Sequence, residues 1–183
     1  MTKQDYISLF NSMHPDFFKQ SYICELPEDK VLEEMILALD DFDASLYEKT
    51  LAEGVTFGFY DGNLNKLKLL VEQVDENWPD FFTSNQNIFC GFIDGHVASF
   101  CMLEDFGEHI LDGRGVRIGG PGCVGTLPKY RGRGLGLSMV KKASQILKDK
   151  GFDYSYIHYT GVARWYEKLG YKTILSWNCH GIL

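Results

Sequence analysis

The chain has 183 residues, of which 45% are hydrophobic, and this is enough for one domain with a substantial core. Its formal net charge of -7 argues against a protein whose whole surface binds nucleic acid or an anionic membrane, so any affinity for phosphate has to be local. We find neither a signal-peptide pattern nor an apolar run of the roughly 18 residues that a membrane helix needs. The five cysteines form no CxxC pair, which predicts reduced thiols in a cytoplasmic protein.

The first half of the sequence, residues 1–85, is predicted to be a helical and acidic part of one domain that spans residues 1–183. SYICEL, residues 21–26, alternates as a strand does. Pro27 and Glu28 open an apolar periodicity that predicts a helix through Leu39. The other helices predicted in this half cover residues 3–13, 15–20 and 64–77.

The second half, residues 86–183, is predicted to be rich in strands. Residues 87–103 form two β-rich runs around Asp94-Gly95, a strong hairpin signal. Glycines in the next strand, residues 116–128, predict either a bulge or a place where another backbone or a ligand approaches closely. The elements that follow are a helix over 134–150 ended by Gly151, a strand over 153–160, a short helix over 162–169 ended by Gly170, and a strand over 171–178. This alternation indicates an α/β or α+β sheet of mixed direction.

The stretch RGRGLG, residues 131–136, has the properties of an anion-binding loop. Glycines let backbone N–H groups face a ligand, the N-terminus of the following helix adds partial positive charge, and Arg131 and Arg133 add full charges. Residues 129–150 contain seven of the 18 Lys and Arg residues, so the positive charge is concentrated here. A Walker loop would need Lys-Ser/Thr after the glycines, and the spacing does not fit a dinucleotide fingerprint.

RGRGLG and VARWYEKLGY, residues 162–171, occur in an order that resembles the GCN5-related N-acetyltransferase superfamily. The resemblance covers about residues 87–177. It implies a mixed, mostly antiparallel central sheet flanked by helices, splayed between the strands before and after the RGRGLG helix. It also implies that residues 86–183 form the acetyl-CoA-binding half and residues 1–85 the acceptor-side half.

The resemblance further implies where acetyl-CoA, the acyl donor, is bound. The pyrophosphate is expected on the loop, and the pantetheine amides on the backbone of the preceding strand. The residues concerned are Val124, Gly125, Thr126, Arg131, Gly132, Arg133, Gly134, Leu135 and Gly136. Many relatives carry an asparagine seven residues before the signature tyrosine, whereas this chain has Tyr159, which puts that pantetheine contact in doubt.

Tyr166 aligns with the tyrosine that donates a proton to the CoA thiolate in many relatives; without that context it would be read as a core residue. Glu104, with Asp105, and His158 are the candidate bases. The ordinary interpretations are an exposed acidic loop for Glu104 and a packed strand residue for His158, and a water chain without a dedicated base is a further alternative. An acyl-enzyme on Cys123 has no partner placed by the sequence.

The function implied is acetyl transfer to a primary amine of a small molecule or a peptide by direct attack, without a metal and without a nucleic-acid or membrane partner. The alternative is a CoA-binding sensor or regulatory domain that has lost catalysis. Only one strand is predicted after the last helix, where the family usually has two. A second copy in a homodimer could supply the missing edge strand, or the strand is simply absent.

Overall fold

The computed structural model describes all 183 residues and contains five α-helices and eight strands. The helices are α1 Lys3–Met13, α2 Ser21–Cys24, α3 Leu64–Val71, α4 Leu135–Asp149 and α5 Ala163–Tyr166. The strands are β1 Leu32–Ala38, β2 Val55–Phe59, β3 Asn87–Ile93, β4 His96–Leu111, β5 Arg114–Thr126, β6 Tyr154–Thr160, β7 Lys172–Asn178 and β8 Gly181–Ile182. No helix has the length and apolar character needed to cross a membrane.

The eight strands form one mixed sheet in the order β2-β3-β4-β5-β6-β1-β7-β8. Neighbours pair antiparallel at β1–β6, β1–β7, β2–β3, β3–β4 and β7–β8, whereas β5 and β6 pair parallel. The β5–β6 register consists of Ile118 with Tyr154 and Gly119 with Ser155. The mixed, mostly antiparallel sheet flanked by helices that the sequence predicted is confirmed.

The chain divides into two compact units, each with its own core. The first unit comprises residues 1–42, 105–119 and 147–183, and it packs α1 and aromatic side chains against β1, β6 and β7. The second unit comprises residues 43–104 and 120–146, and its core joins α3 to β3, β4 and Leu127. The organisation as a single domain, with residues 1–85 as the acceptor half, stays a prediction.

Two elements of the first half were predicted wrongly. The helix expected from Pro27 to Leu39 is the strand β1, which lies between β6 and β7. A central strand is covered on both faces and therefore reads as a nearly continuous apolar run, which also fits a helical period. Residues 21–26, expected as a strand, contain the helical turn α2 instead, and only Ile23 of that turn is buried. The first half therefore contains the strands β1 and β2 as well as helices.

The hairpin at Asp94-Gly95 is confirmed, and both residues have left-handed backbone angles, φ 49° and 76°. The same geometry recurs at Asp112-Gly113, with φ 52° and 72°, between β4 and β5. This second hairpin was missed, although Asp-Gly is the same signal, and β4 is consequently longer than predicted.

The ends of the remaining elements agree in part with the sequence. Gly151 and Gly170 follow helical segments with φ 78° and 89°, as predicted for residues that end a helix. Residues 17–19 form a 3₁₀ turn within the helix predicted over 15–20, and α3 ends at Val71 rather than at residue 77. The prediction of one strand after the last helix is wrong, because β8 pairs with β7. The missing edge strand therefore gives no reason to expect a homodimer, which stays a prediction.

Candidate active site

The anion-binding loop lies between the end of β5 and the start of α4. Leu127 is buried and donates its N–H to Ala98 O at 2.9 Å, which fixes the end of the strand. A 3₁₀ turn, Pro128–Tyr130, follows, and Gly132 and Gly134 then take left-handed angles of φ 75° and 81°. These two positions have a backbone that side-chain-bearing residues adopt only with strain, which explains the glycines.

The helix behind the loop is held firmly by its apolar face. The first bond within the helix runs from Ser138 N–H to Gly134 O at 3.1 Å, so the N–H groups of residues 135–137 have no acceptor within α4. Met139, Val140 and Ala143 are fully buried. The free donors and the positive end of the helix dipole are therefore presented from a rigid element.

The two arginines of the loop are oriented by the backbone around it. Arg131 donates from Nε to Thr126 O at 3.1 Å, and Arg133 donates from a terminal nitrogen to Lys129 O at 3.3 Å. The Arg133 guanidinium also lies 5.6 Å from the centre of the Tyr130 ring. Since each guanidinium has five N–H donors, each arginine keeps further donors for an anion.

Lys49 adds a third cation to the loop. A Cβ atom built on Gly134 would come 2.9 Å from Cε and 3.1 Å from Nζ of Lys49, so the lysine side chain occupies the space beside this glycine. The segment that carries it is tied to α4, because Lys141 Nζ donates to Tyr47 O at 2.9 Å. Lys49 was not predicted as part of the loop, since no motif in the sequence around it indicates this position.

Two glycines of β5 lie against side chains of β4. A Cβ on Gly125 would meet the ring of Phe100, at 2.6 Å from Cε2, and a Cβ on Gly122 would come 2.9 Å from the carboxyl carbon of Glu104. Neighbouring side chains in the second unit therefore require these glycines. The backbone kink of β5 lies at Cys123, a non-glycine residue with φ 45°.

Glu104 lies inside β4, not in a loop after it, and its carboxylate packs over Gly122 in the second unit. Asp105 is held by an ion pair with Arg117 at 2.7 Å. Partial burial acts to raise the pKa of Asp105, but the hydrogen bonds from Arg117 and Gly107 N–H lower it below its usual value. Asp105 is therefore a bound anion, which makes it a poor general base.

Burial raises the pKa of Cys123 to about 12, and the negative charges of Glu104 and Asp75 act in the same direction. The thiol is therefore protonated at neutral pH. Because the thiolate is the nucleophile, this argues against an acyl-enzyme at this position.

Tyr166 is buried at the end of α5 in the first unit, with 6% of its surface exposed. Its ring packs edge-on to Trp165 at 4.8 Å, and it lies 5.9 Å from the ring of Tyr171. The loop residues and Glu104 thus belong to the second unit, and Tyr166 and His158 belong to the first. The role of Tyr166 stays a prediction.

His158 contacts a carboxylate that the sequence did not reveal. Its Nδ1 lies 2.9 Å and 3.1 Å from the two oxygens of Glu34 on β1, and its ring stacks on His14 at 4.0 Å between centroids. Burial, with smaller contributions from His158 and His109, lowers the pKa of His14 to about 3, so His14 is neutral at physiological pH. Glu34 was assigned to a helix, and it lies 124 residues before its partner, so no local signal could have found the pair.

A mixed sheet with a glycine-arginine loop at the start of α4 defines an α/β protein whose loop presents arginine and backbone N–H donors. A family model described as "Acetyltransferase (GNAT) family" matches residues 56–171, more than half of the chain. The chain therefore belongs to the GNAT acetyltransferase family. Members of this family generally use acetyl-CoA and act on amines of small molecules or peptides.

Solved structures show the same fold. One is a region of a fungal multi-domain GH3 β-N-acetylglucosaminidase, described as a GCN5-related glucosamine N-acetyltransferase region. It is 24% identical, with a TM-score of 0.69 over 81% of this chain and 20% of that chain. A GCN5-related N-acetyltransferase from Kribbella flavida is 17% identical, with a TM-score of 0.56 over 81% of this chain and 56% of that one.

A third GCN5-related N-acetyltransferase, from Sphaerobacter thermophilus, is 19% identical, with a TM-score of 0.53 over 78% of this chain and 48% of that chain. This chain thus spans between a fifth and somewhat more than half of the length of these three chains. Among proteins with curated descriptions, none matches it. At these identities the likeness concerns the fold.

Proposed function

We propose that this protein transfers an acetyl group from acetyl-CoA to a primary amine of a small molecule or a peptide. The observation that carries the proposal is the loop of residues 131–136 at the start of α4, with glycines at its two left-handed positions. The proposed setting is the cytoplasm, and all five cysteines are free thiols.

The residues of the loop fit a pyrophosphate. Two arginines with remaining N–H donors and the ammonium of Lys49 supply positive charge, and the first amides of α4 supply hydrogen-bond donors. The backbone of residues 124–126 would hold the pantetheine amides, in the manner of an added strand. Acetyl-CoA supplies the activated acetyl thioester when it is bound.

The protein's own groups are proposed to move two protons. His158 or Glu104 accepts the proton that the acceptor ammonium must lose before its nitrogen can form the new C–N bond. The Tyr166 hydroxyl donates toward the sulfur as the C–S bond breaks. With ordinary pKa values of about 10 for a phenol and about 8.5 for a thiol, a tyrosine stabilises the departing thiolate mainly as a hydrogen-bond donor.

The first test is calorimetric titration with acetyl-CoA. Arg131→Glu/Arg133→Glu should abolish binding, because it replaces two loop donors by like charges. The matched control is Lys19→Glu/Lys30→Glu, which changes the net charge equally at two exposed positions outside the loop. Equal loss of binding in both double variants, or no binding to the folded wild type, would contradict the proposal.

The second test is turnover against a panel of amines. The panel should contain a lysine peptide, a polyamine and glucosamine; the last is included because a structural relative is described as a glucosamine N-acetyltransferase region. Release of free thiol that depends on the amine would support acetyl transfer. Binding of acetyl-CoA without turnover on any amine would favour the alternative of a CoA-binding sensor domain.

A further inference from the structure

The carboxylate of Glu34 is fully buried, yet it is surrounded by hydrogen-bond donors. Tyr156 Oη donates to Oε2 at 2.6 Å, and Trp177 Nε1 and Tyr159 N–H donate to Oε1 at 2.7 Å and 3.2 Å. The fourth group is Nδ1 of His158, at 2.9 Å from Oε2. A buried carboxylate without such partners would cost several kcal/mol, so this cluster has to be satisfied as a set.

The donors around Glu34 fix where the protons lie. The indole N–H of Trp177 and the backbone N–H of Tyr159 can only donate, so Oε1 of Glu34 accepts both hydrogen bonds. Burial and the Glu34 charge raise the pKa of Tyr156 well above its usual value, so this phenol keeps its proton and donates to Oε2. An ionised carboxylate then requires His158 to donate from Nδ1–H.

The other ring nitrogen of His158 is open. No protein group bonds Nε2, and 27% of the side chain is exposed, whereas Glu34 behind it has no exposure. The stacked ring of His14, at an interplanar angle of 13°, holds the plane of the imidazole, and the ring of Phe17 packs edge-on to it at 5.1 Å. Nε2 therefore has no protein partner, and the orientation of its ring is set from three sides.

We propose that Glu34 is the positioning residue of a proton-accepting histidine: it holds Nδ1–H of His158, so that Nε2 takes the proton released by the acceptor ammonium. The inference rests on the proposed function, and it chooses His158 over Glu104 as the base. The proton moves first to Nε2, and the lone pair that this frees on nitrogen then forms the C–N bond while the C–S bond breaks and its electron pair leaves on the CoA sulfur. The imidazolium stands beside the Glu34 carboxylate until it returns the proton to solvent. The same division of roles between an acid and an imidazole operates in serine protease triads.

The tautomer of His158 is the direct test, and it needs no substrate. Nitrogen-15 NMR of the imidazole, assigned with His158→Gln, should show the neutral ring protonated at Nδ1 and bare at Nε2. In Glu34→Gln the ring should lose this preference. A wild-type ring protonated at Nε2 would overturn the proposal, whether or not the protein acetylates anything.

The kinetic test compares Glu34→Gln with Glu33→Gln, the same substitution at the preceding residue of β1. The Glu33 side chain is half-buried, and its carboxylate accepts one hydrogen bond, from Thr173 Oγ1 at 3.2 Å. Glu34→Gln should lower kcat about 100-fold with an unchanged KM for acetyl-CoA, as expected for loss of general-base assistance.

Folding is monitored separately by thermal unfolding of each variant. An active Glu34→Gln enzyme with wild-type kcat would overturn the proposal. If the wild type acetylates no amine, the proposed function fails, but the NMR measurement still decides whether Glu34 sets the tautomer. If Glu34→Gln does not fold, the NMR measurement of the His158 tautomer in the wild type is sufficient to support or overturn the proposal.

Discussion

Gly132 and Gly134 offer a matched pair for testing the anion-binding loop. Both have left-handed angles, but nothing lies within 4 Å of a Cβ built on Gly132, whereas a Cβ on Gly134 would displace the side chain of Lys49. The left-handed backbone costs an alanine about 1–2 kcal/mol. Gly132→Ala and Gly134→Ala should therefore lower the free energy of unfolding by similar amounts, seen as a fall of about 2–4 °C in Tm for each kcal/mol in a chain of this size.

The two variants should differ in their affinity for acetyl-CoA. A lysine side chain is flexible, so its displacement by Gly134→Ala adds little to the stability cost, but it removes an ammonium from the loop. An exposed charge pair contributes about 1 kcal/mol at most, which corresponds to an approximately fivefold weaker Kd. Calorimetry should show this loss in Gly134→Ala and in Lys49→Ala, with no further loss in the double variant. Equal loss in Gly132→Ala, or additive effects of Lys49→Ala and Gly134→Ala, would refute the reasoning.

Three further outcomes are expected. Tyr166→Phe should keep its ring packing and its affinity for acetyl-CoA while kcat falls about 100-fold, and full turnover would remove the proposed acid. Iodoacetamide at pH 7.5, followed by peptide mass spectrometry, should modify the exposed Cys24 but not Cys123, whose pKa is raised to about 12; rapid labelling of Cys123 in the folded protein would contradict this. The pKa of His14 falls from 6.5 in the unfolded chain to about 3 in the folded one, so the unfolded state binds the proton first and stability is lost as the pH falls from about 6.5 toward 3. In urea titrations, His14→Phe should weaken the dependence of the free energy of unfolding on pH, whereas the control His180→Gln should leave it unchanged. An unchanged pH dependence in His14→Phe would argue against a lowered pKa of His14.

The backbone conformation of the RGRGLG loop could be predicted because its determinants are local. The glycines, arginines and apolar helix face follow one another within residues 131–147, and each imposes its conformation on its own backbone. Asp94-Gly95 and Gly151 were read correctly for the same reason. The Asp112-Gly113 hairpin was not predicted, although its Asp-Gly turn signal is as strong as that of Asp94-Gly95.

The Glu34 cluster could not be predicted, because its members come together only in the folded sheet. Hydrogen bonds join Glu34 to Tyr156 and Trp177 across 122 and 143 positions of sequence. The same limit applies to Gly122 and Gly125 of β5, which lie against Glu104 and Phe100 on β4. The conformation of RGRGLG follows from adjacent residues, whereas the environment of His158 required the structure.

The position of β1 also bears on how the chain is made. β1 is flanked by β6 and β7, whereas β3 pairs with the strands on either side of it in sequence, β2 and β4. A ribosome releases β1 long before residues 154–178 exist, and a strand cannot form its ladder without partners. Until then, the apolar segment of β1 stays exposed to chaperones and to aggregation. The first unit therefore completes its folding only after β7 has been synthesised, and damage to β7 would leave β1 without one of its two partner strands.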